Sequence, residues 1–356
     1  MPRTLLLLAV AAVTLGSYRC GGLPGDANLD GVVDGADAAF VLACLGIDPL
    51  AGLPCLSADL DGDGAVTHAD RDFAASYFAD LACNGDMTLC DRRFDQVAYP
   101  TTHNGFSALQ DGFDPLAANH TSGMRQQLID GVRGFMLDTH YDLGNTWLCH
   151  SSCFLGSTLL GRIDLVEGLG WIDTHLRENP GSVVTVILES YISEADTEAA
   201  FVASGLIDHV HSQTPGQPWP TLREMIRNGR RLVVLTGDSS ASLPWHHYMW
   251  THAFETDYNF SVFDYTLEFL VDLMFSVEGC AVNRGTSASP LFILNHFITA
   301  TAGHPTLAAT VNFEPDLGDR ALLCGGLYSR VPNFITVDYY EVGDLLAATA
   351  RVNAAF

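Results

Sequence analysis

Short runs of consecutive apolar residues alternate with helix-like segments along most of this 356-residue chain. One clear helical period is formed by Leu165, Leu169, Ile172 and Leu176, and Pro180-Gly181 would end that helix. The strand-like runs contain continuous apolar stretches, as expected for strands buried on both faces, which predicts a parallel sheet in an α/β fold. These runs lie at 97–102, 131–140, 181–189, 230–236, 291–294 and 334–338.

Polar residues gather at the ends of several of these runs. His103, Asp138, Glu189 and Asp338 each follow or close a strand-like segment. In a (β/α)8 barrel of the TIM type, the carboxyl ends of the strands form one face, where active sites lie. We therefore predict such a barrel over residues 83–356.

The apolar pattern at the amino terminus has a different meaning. Residues 1–20 have one positive charge, Arg3, before an apolar stretch and then small residues at Gly16 and Ser17, which is typical of a secretory signal peptide. The apolar stretch is too short for a permanent membrane-spanning helix. We therefore predict a protein that is secreted or held at the cell surface.

Residues 23–82 contain the same pattern twice. Oxygen ligands stand at loop positions 1, 3 and 5, a glycine at 6 and an acid at 12, which is the logic of a calcium loop. Each loop leads into an apolar helical segment, so we predict a small α-helical module that binds Ca²⁺; turns without metal are the alternative. The predicted ligands are Asp26, Asn28, Asp30 and Asp37, then Asp59, Asp61, Asp63 and Asp70.

The chain has nine cysteines, which in a secreted protein indicates disulfides. Proximity along the sequence favours the pairs Cys44–Cys55, Cys83–Cys90 and Cys149–Cys153. Cys280 and Cys324 remain as a long-range pair, and Cys20 is then the odd residue. The sequence does not prove this connectivity.

Charge narrows the range of partners. The net charge is −25, and all 17 basic residues are arginines. Nucleic acid is excluded as a partner because its binding needs a cationic surface. Electrostatic docking on an anionic membrane is disfavoured for the same reason. Aromatic residues near 245–263 favour a packed or substrate-facing loop, and transient contact with a membrane stays open.

Two histidines, His103 and His150, can divide the work of a general base and a general acid. Asn104 and Asp138 beside them offer hard oxygen ligands for a divalent cation. This combination suits cleavage of a phosphodiester without a covalent enzyme intermediate.

The segments around these residues resemble the X region of phosphatidylinositol-specific phospholipase C. They are similar above all to a secreted subgroup of phospholipase C-like phosphodiesterases. The matching segments are 98–104, 131–138, 148–150, 186–189 and 332–340. Residues 23–82 resemble a dockerin type I module, which implies two calcium ions and a cohesin-like partner; a calcium-stabilised stalk without a partner is the alternative.

The resemblance implies a role for each site residue. His103 would be the general base, His150 the general acid, and Asp338 the residue that orients His103. Asn104, Asp138 and Glu189 would hold a catalytic calcium ion. Cleavage of an inositol phosphodiester or another phospholipid would then proceed through a cyclic phosphate.

One position departs from the eukaryotic pattern of this family. Met136 stands where a further acid is expected, so either the calcium site is weaker or Asp142 or His140 compensates.

Other functions stay open at this point. A glycerophosphodiesterase or a sphingomyelinase D would share the barrel but favours a Glu-x-Asp element, which residues 136–138 lack. A non-catalytic, calcium-dependent binding module would be expected to lack one of the two histidines. The segment 285–290 resembles the serine segment of subtilases without its partners. His246, His247 and His252 are more typical of packing than of a metal site.

Overall fold

The computed structural model describes residues 25–29, 35–46, 53–60, 64–76, 82–150, 153–300 and 302–356. The predicted signal peptide, with Cys20, lies outside the described residues. So do three of the predicted calcium ligands, Asp30, Asp61 and Asp63. None of the helices in the described part of the chain is long and apolar enough to cross a membrane.

The described helices are short, and most follow or precede a strand of the barrel region. They are α1 (Gly35–Ala43), α2 (His68–Ser76), α3 (Met124–Asp130), α4 (Leu165–Glu178), α5 (Glu194–Ala203), α6 (Leu222–Arg227), α7 (Met249–His252), α8 (Leu267–Met274), α9 (Pro305–Val311), α10 (Asp316–Tyr328) and α11 (Leu345–Ala355).

The described strands begin with β1, directly before the first predicted catalytic histidine. They are β1 (Tyr99–Thr102), β2 (Gly134–Asp142), β3 (Asn145–Leu148), β4 (Phe154–Leu155), β5 (Thr158–Leu159), β6 (Ile163–Asp164), β7 (Val184–Ser190), β8 (Leu232–Thr236), β9 (His246–Tyr248), β10 (Ala253–Thr256), β11 (Val282–Gly285), β12 (Leu291–Asn295) and β13 (Phe334–Val337).

Eight parallel strands form the barrel wall, in the order β10-β12-β13-β1-β2-β7-β8-β9. β3 extends β2 as an antiparallel hairpin, and β11 pairs antiparallel with β10. The curled sheet confirms the predicted TIM-type α/β fold, and the predicted strand runs overlap β1, β2, β7, β8, β12 and β13. Helix α4 begins at Leu165, as its apolar period predicted.

The ladder of hydrogen bonds does not continue from β9 to β10 in the described part of the chain. Only the four residues of α7 connect these two strands. A parallel neighbour normally needs a crossover of a dozen or more residues, so this connection cannot place β10 beside β9 in register. β11 covers the edge of β10 that faces this gap.

Apolar packing on both sides of the sheet holds the barrel. Helix α4 contributes Leu165, Leu169, Ile172 and Leu176 to the outer layer, and all four are buried. The inner cluster contains a run of stacked rings, with Phe94 4.8 Å from Trp219 and 5.0 Å from Tyr99. Burial of large apolar side chains is the dominant favourable contribution to folding.

Glu194, the first residue of α5, fixes the segment that leads into β9. Its carboxylate accepts hydrogen bonds from the backbone N–H of Ser242 at 2.7 Å and of Leu243 at 3.1 Å. It also lies 3.0 Å from Nδ1 of His246. Burial opposes ionisation of Glu194, but these hydrogen bonds outweigh it and lower the pKa of the carboxyl to about 2.

Four disulfides cross-link the described residues, and they are the three pairs favoured by proximity along the sequence and the remaining long-range pair. They join Cys44 to Cys55, Cys83 to Cys90, Cys149 to Cys153, and Cys280 to Cys324. The bond between Cys149 and Cys153 closes a short loop that contains His150.

The two amino-terminal repeats make equivalent hydrogen bonds. The backbone N–H of Ala27 donates to Asp37 at 2.7 Å, and that of Leu60 donates to Asp70 at 2.7 Å, ten residues apart in each case. Asp37 and Asp70 are fully buried. Each closing acid thus reaches back to the start of its own loop, and its role as a calcium ligand stays a prediction.

Candidate active site

The ends of four neighbouring strands bring the predicted barrel residues together. His103 follows β1 and Asp338 follows β13, and these two strands are paired up to Thr102 and Val337. Asp138 on β2 lies directly opposite Glu189 on β7. Because parallel strands end at the same edge of the sheet, all four side chains reach one face of the barrel.

His103 is held from two sides. Its Nδ1 lies 2.9 Å from Oδ1 of Asp338, a carboxylate that is only 2% exposed. Nδ2 of Asn119 donates to the same oxygen at 2.8 Å. The imidazole ring stacks on Phe297, with ring centres 4.0 Å apart and planes nearly parallel. These contacts fix the orientation of the ring and leave Nε2 facing the cavity.

Asn104 joins the two histidines. Its Nδ2 lies 3.2 Å from Nε2 of His103 and 2.6 Å from Nε2 of His150. The backbone of Asn104 adopts a positive φ of 48°, a conformation that asparagine tolerates better than most residues. The two imidazoles therefore converge on one position, although 46 residues separate Asn104 from His150.

The charges around the histidines act on them in opposite directions. Burial lowers the pKa of His103, but the carboxylates of Asp338, Asp138 and Glu189 outweigh burial and raise it overall. Burial and the charge of His103 lower the pKa of His150 to about 4. The protein's own charges thus favour a proton on His103 over one on His150.

Asp138 and Glu189 form a pair of carboxyl groups inside the cavity. Desolvation and the charge of Glu189 raise the pKa of Asp138 to about 8. The hydroxyl of Tyr191 donates to Glu189. Together with the side-chain amide of Asn104, which lines the same cavity, these two carboxyl groups offer the oxygen ligands that a hard cation such as calcium prefers. In the described residues no three His, Cys, Asp or Glu side chains converge on a metal position, so this set depends on the amide.

A cavity of about 400 Å³ extends from these residues across the barrel face. Besides Asp138 and Glu189 it is lined by the carboxylates of Asp238 and Glu255. The one arginine in this lining is Arg284, which pairs with Glu255 and lies over the ring of Tyr258 at 4.5 Å. The cavity is therefore strongly acidic, and its arginine is already paired.

The two residues expected to compensate for Met136 make contacts elsewhere, and neither lines the cavity. Met136 itself lines the cavity. Asp142 pairs with Arg162 on the β2–β3 hairpin, and His140 stacks on Tyr191 at 4.4 Å. Asp142 is absent from the lining because β2 carries it beyond the barrel edge into the hairpin.

The sequence patterns did not predict several residues that contact the site or line its cavity. Asn119 and Phe297 lie in loops, and no periodic signal marks either of them. Glu255 and Arg284 meet only because β11 folds back on β10.

Two further features of the sequence, the histidines near residue 250 and the segment 285–290, have defined places in the fold. His246, His247 and His252 are buried on β9 and α7, so the expected loop there is wrong, although their packing role holds. Ser289 lies in the turn between β11 and β12.

Comparisons with known proteins agree with this geometry. The PI-PLC X 1 family profile matches residues 89–353, and the dockerin type I domain profile matches residues 24–78. A PI-PLC X domain-containing protein 1 from Arthroderma benhamiae is 28% identical over 300 residues, covering 77% of this chain and 90% of the relative.

Two further relatives are longer than the matched region. An uncharacterized secreted protein from Arthroderma benhamiae is 27% identical over 76% of this chain, and the match spans 63% of that relative. A PI-PLC X domain-containing protein from Arabidopsis thaliana is 27% identical over 70% of this chain, and the match spans 59% of it.

Solved structures show the same fold. The H258Y mutant of phosphatidylinositol-specific phospholipase C from Staphylococcus aureus superposes with a TM-score of 0.51 at 13% identity. That match covers 77% of this chain and 98% of the bacterial one. The profile match spans most of the chain, and this protein belongs to the PI-PLC X domain family.

Proposed function

We propose that the barrel cleaves a phosphodiester by general acid–base catalysis, with His103 as base and His150 as acid. One observation carries this proposal. A single side-chain nitrogen, Nδ2 of Asn104, lies within 3.2 Å of one imidazole and 2.6 Å of the other. A phosphoryl group at that point would be within reach of both histidines.

The reaction would proceed in two steps, formation of a cyclic phosphate and its opening by water. His103 takes the proton from a hydroxyl of the headgroup, whose oxygen then bonds to phosphorus. The bond from phosphorus to the leaving oxygen breaks, and His150 gives that oxygen a proton. The products are an alcohol and a cyclic phosphate, which water can open with the roles of the histidines reversed.

Four residues would support His103 and the phosphoryl group. Asp338 stabilises the imidazolium that forms on His103, since its carboxylate lies 2.9 Å from Nδ1. Asn104, Asp138 and Glu189 would hold a calcium ion. When bound there, calcium would neutralise charge on the phosphoryl oxygens and offset the carboxylates that raise the pKa of His103.

The acidic cavity favours an uncharged polyol as the headgroup. Hydroxyl groups can donate to Glu255 and Asp238, whereas an additional phosphate would meet carboxylates and one paired arginine. An inositol phosphodiester fits this description, and the family supports a phospholipid of that type.

The test is turnover of phosphatidylinositol by the purified chain, with phosphorus NMR to detect a cyclic phosphate. We expect the cyclic product, and a large loss of turnover in EGTA that added calcium restores. Full turnover in EGTA would overturn the calcium assignment. Normal turnover by His103→Ala would overturn the mechanism.

We also propose that the protein acts outside the cell and that its amino-terminal module binds two calcium ions. The signal-like residues 1–20, the four disulfides and the dockerin match support this. A cohesin-type domain is the partner that a dockerin would bind. Immobilised cohesin domains that capture the chain only with calcium would support the pairing, and capture unaffected by EGTA would contradict it.

A further inference from the structure

A separate cavity lies at the face of the barrel opposite the catalytic residues, and its volume is about 400 Å³. Three of its lining residues lie where strands begin: Asp95 comes just before β1, His252 directly before β10 and Pro290 directly before β12. The catalytic residues follow the carboxyl ends of the strands instead. The two cavities share no lining residue, so a ligand here would not occupy the site of the proposed reaction.

Trp219 presents a hydrogen-bond donor to this cavity. Its side chain is 2% exposed and packs against Phe94, with ring centres 4.8 Å apart. The indole N–H can only donate, and no group among the described residues accepts a hydrogen bond from it. Since a buried indole N–H normally has a partner, the acceptor is expected to come from the cavity that Trp219 lines.

His252 presents two further hydrogen-bonding atoms. The residue is 4% exposed and is held by ring contacts, edge to face with Trp219 at 5.8 Å and with His247 at 5.1 Å. Neither imidazole nitrogen forms a hydrogen bond with another described residue. Burial lowers the pKa of His252, so at neutral pH its ring offers one donor and one acceptor. Two almost completely buried side chains thus present polar atoms to the same cavity.

The charged residues of the lining, Arg93 and Asp95, neutralise each other. Nε of Arg93 lies 3.1 Å from Oδ1 of Asp95, and Nη2 lies 3.4 Å from Oδ2. A carboxylate or phosphate ligand would find no unpaired cation in this lining and would approach Asp95, so an anion is disfavoured. A hydroxyl group can both donate and accept, and therefore suits the indole N–H, the imidazole and the Asp95 carboxylate alike.

We propose that this cavity binds a neutral sugar ring. One hydroxyl accepts the indole N–H of Trp219, another pairs with the imidazole of His252, and C–H groups of the ring pack against Pro218 and Pro290. The volume lies within the range of small-ligand sites, and several polar groups converge on it. The inference does not depend on the proposed reaction, because the two cavities have no lining residue in common.

The test is a titration of the whole chain followed by nitrogen–proton correlation NMR. The reporter is the indole N–H resonance of Trp219, assigned by its absence from Trp219→Phe, and the other four of the five tryptophans are internal references. The probes are glucose, galactose, mannose and N-acetylglucosamine, with sodium acetate as the anionic probe at matched ionic strength. We expect at least one sugar to shift the Trp219 resonance saturably, with a Kd on the order of 1 mM.

Variants locate the binding. His252→Phe keeps a ring of similar shape but removes both nitrogens, and it should weaken the sugar by at least about tenfold. Thr251→Tyr fills the exposed edge of the same cavity without altering a buried group, and should cause a similar loss. Asp238→Asn is the matched control, because it alters a polar residue of the catalytic cavity alone, and it should leave the Kd unchanged.

Three results would overturn the proposal. One is a Trp219 resonance that none of the sugars shifts at concentrations about twentyfold above the expected Kd. Another is a saturable shift with acetate and none with the sugars, which would make the cavity an anion site. The last is a sugar affinity that His252→Phe and Thr251→Tyr both leave unchanged. Each of these results would leave the proposed phosphodiesterase reaction untouched.

Discussion

The hydrogen bond between Asp338 and His103 allows a quantitative prediction for Asp338→Asn. The substitution keeps the size of the side chain but removes a buried negative charge 2.9 Å from Nδ1. At an effective dielectric of about 20, unit charges about 4 Å apart interact by about 4 kcal/mol, which sets an upper limit near 10³-fold. Because His103 is only partly charged in the transition state, we expect kcat to fall by about 100-fold.

The assay is steady-state turnover of a soluble inositol phosphodiester, with KM expected to stay within about threefold because Asp338 does not line the cavity. Asp142→Asn is the matched control, since it removes a carboxylate that pairs with Arg162 on the same side of the barrel. The control should keep wild-type kcat. An Asp338→Asn enzyme within threefold of wild type, with an unchanged melting temperature, would refute the reasoning.

Three further outcomes are expected. Glu194→Gln should cost about 1–2 kcal/mol of unfolding free energy at pH 7, a discounted value because the side chain is 19% exposed. The pKa of Glu194 is lowered from 4.5 to about 2 in the folded protein, so its contribution to stability is present above pH 4.5 and disappears as the pH falls towards 2. Urea titrations across that range measure this loss, and Glu198→Gln, at an exposed position of the same helix, is the control. Phosphatidylinositol bisphosphate should be cleaved at least about 100-fold more slowly than phosphatidylinositol in matched vesicles, because added phosphates meet an acidic cavity; equal rates would contradict that charge argument. Asp70→Ala should remove one calcium ion from the stoichiometry measured by calorimetry on the whole chain, and an unchanged count would contradict the repeat assignment.

The sequence predicted the residues that stand at strand ends. His103 and Asp338 could be placed together because the carboxyl ends of paired parallel strands share one edge. Asp138 and Glu189 follow by the same rule. His150 lies beyond the barrel strands, and only its motif pointed to it.

Other parts of the site and of the fold depend on tertiary contacts that leave no periodic pattern in the sequence. Asn119 reaches Asp338 from a loop 219 residues away, and Phe297 meets His103 after β12. Strand β9 contains only His246, His247 and Tyr248, so no apolar run in the sequence predicts it. The gap in the sheet between β9 and β10 follows from the shortness of α7, and the sequence does not define the bounds of that helix.

The short loop closed by Cys149 and Cys153 links the chemistry of the protein to its place of folding. His150 lies within this loop, and the bond that closes it forms in oxidising compartments such as the secretory route. A chain still in a reducing cytoplasm would carry His150 on a loop that no disulfide closes. If His150 is the proposed general acid, completion of the catalytic centre therefore follows oxidation of this cysteine pair.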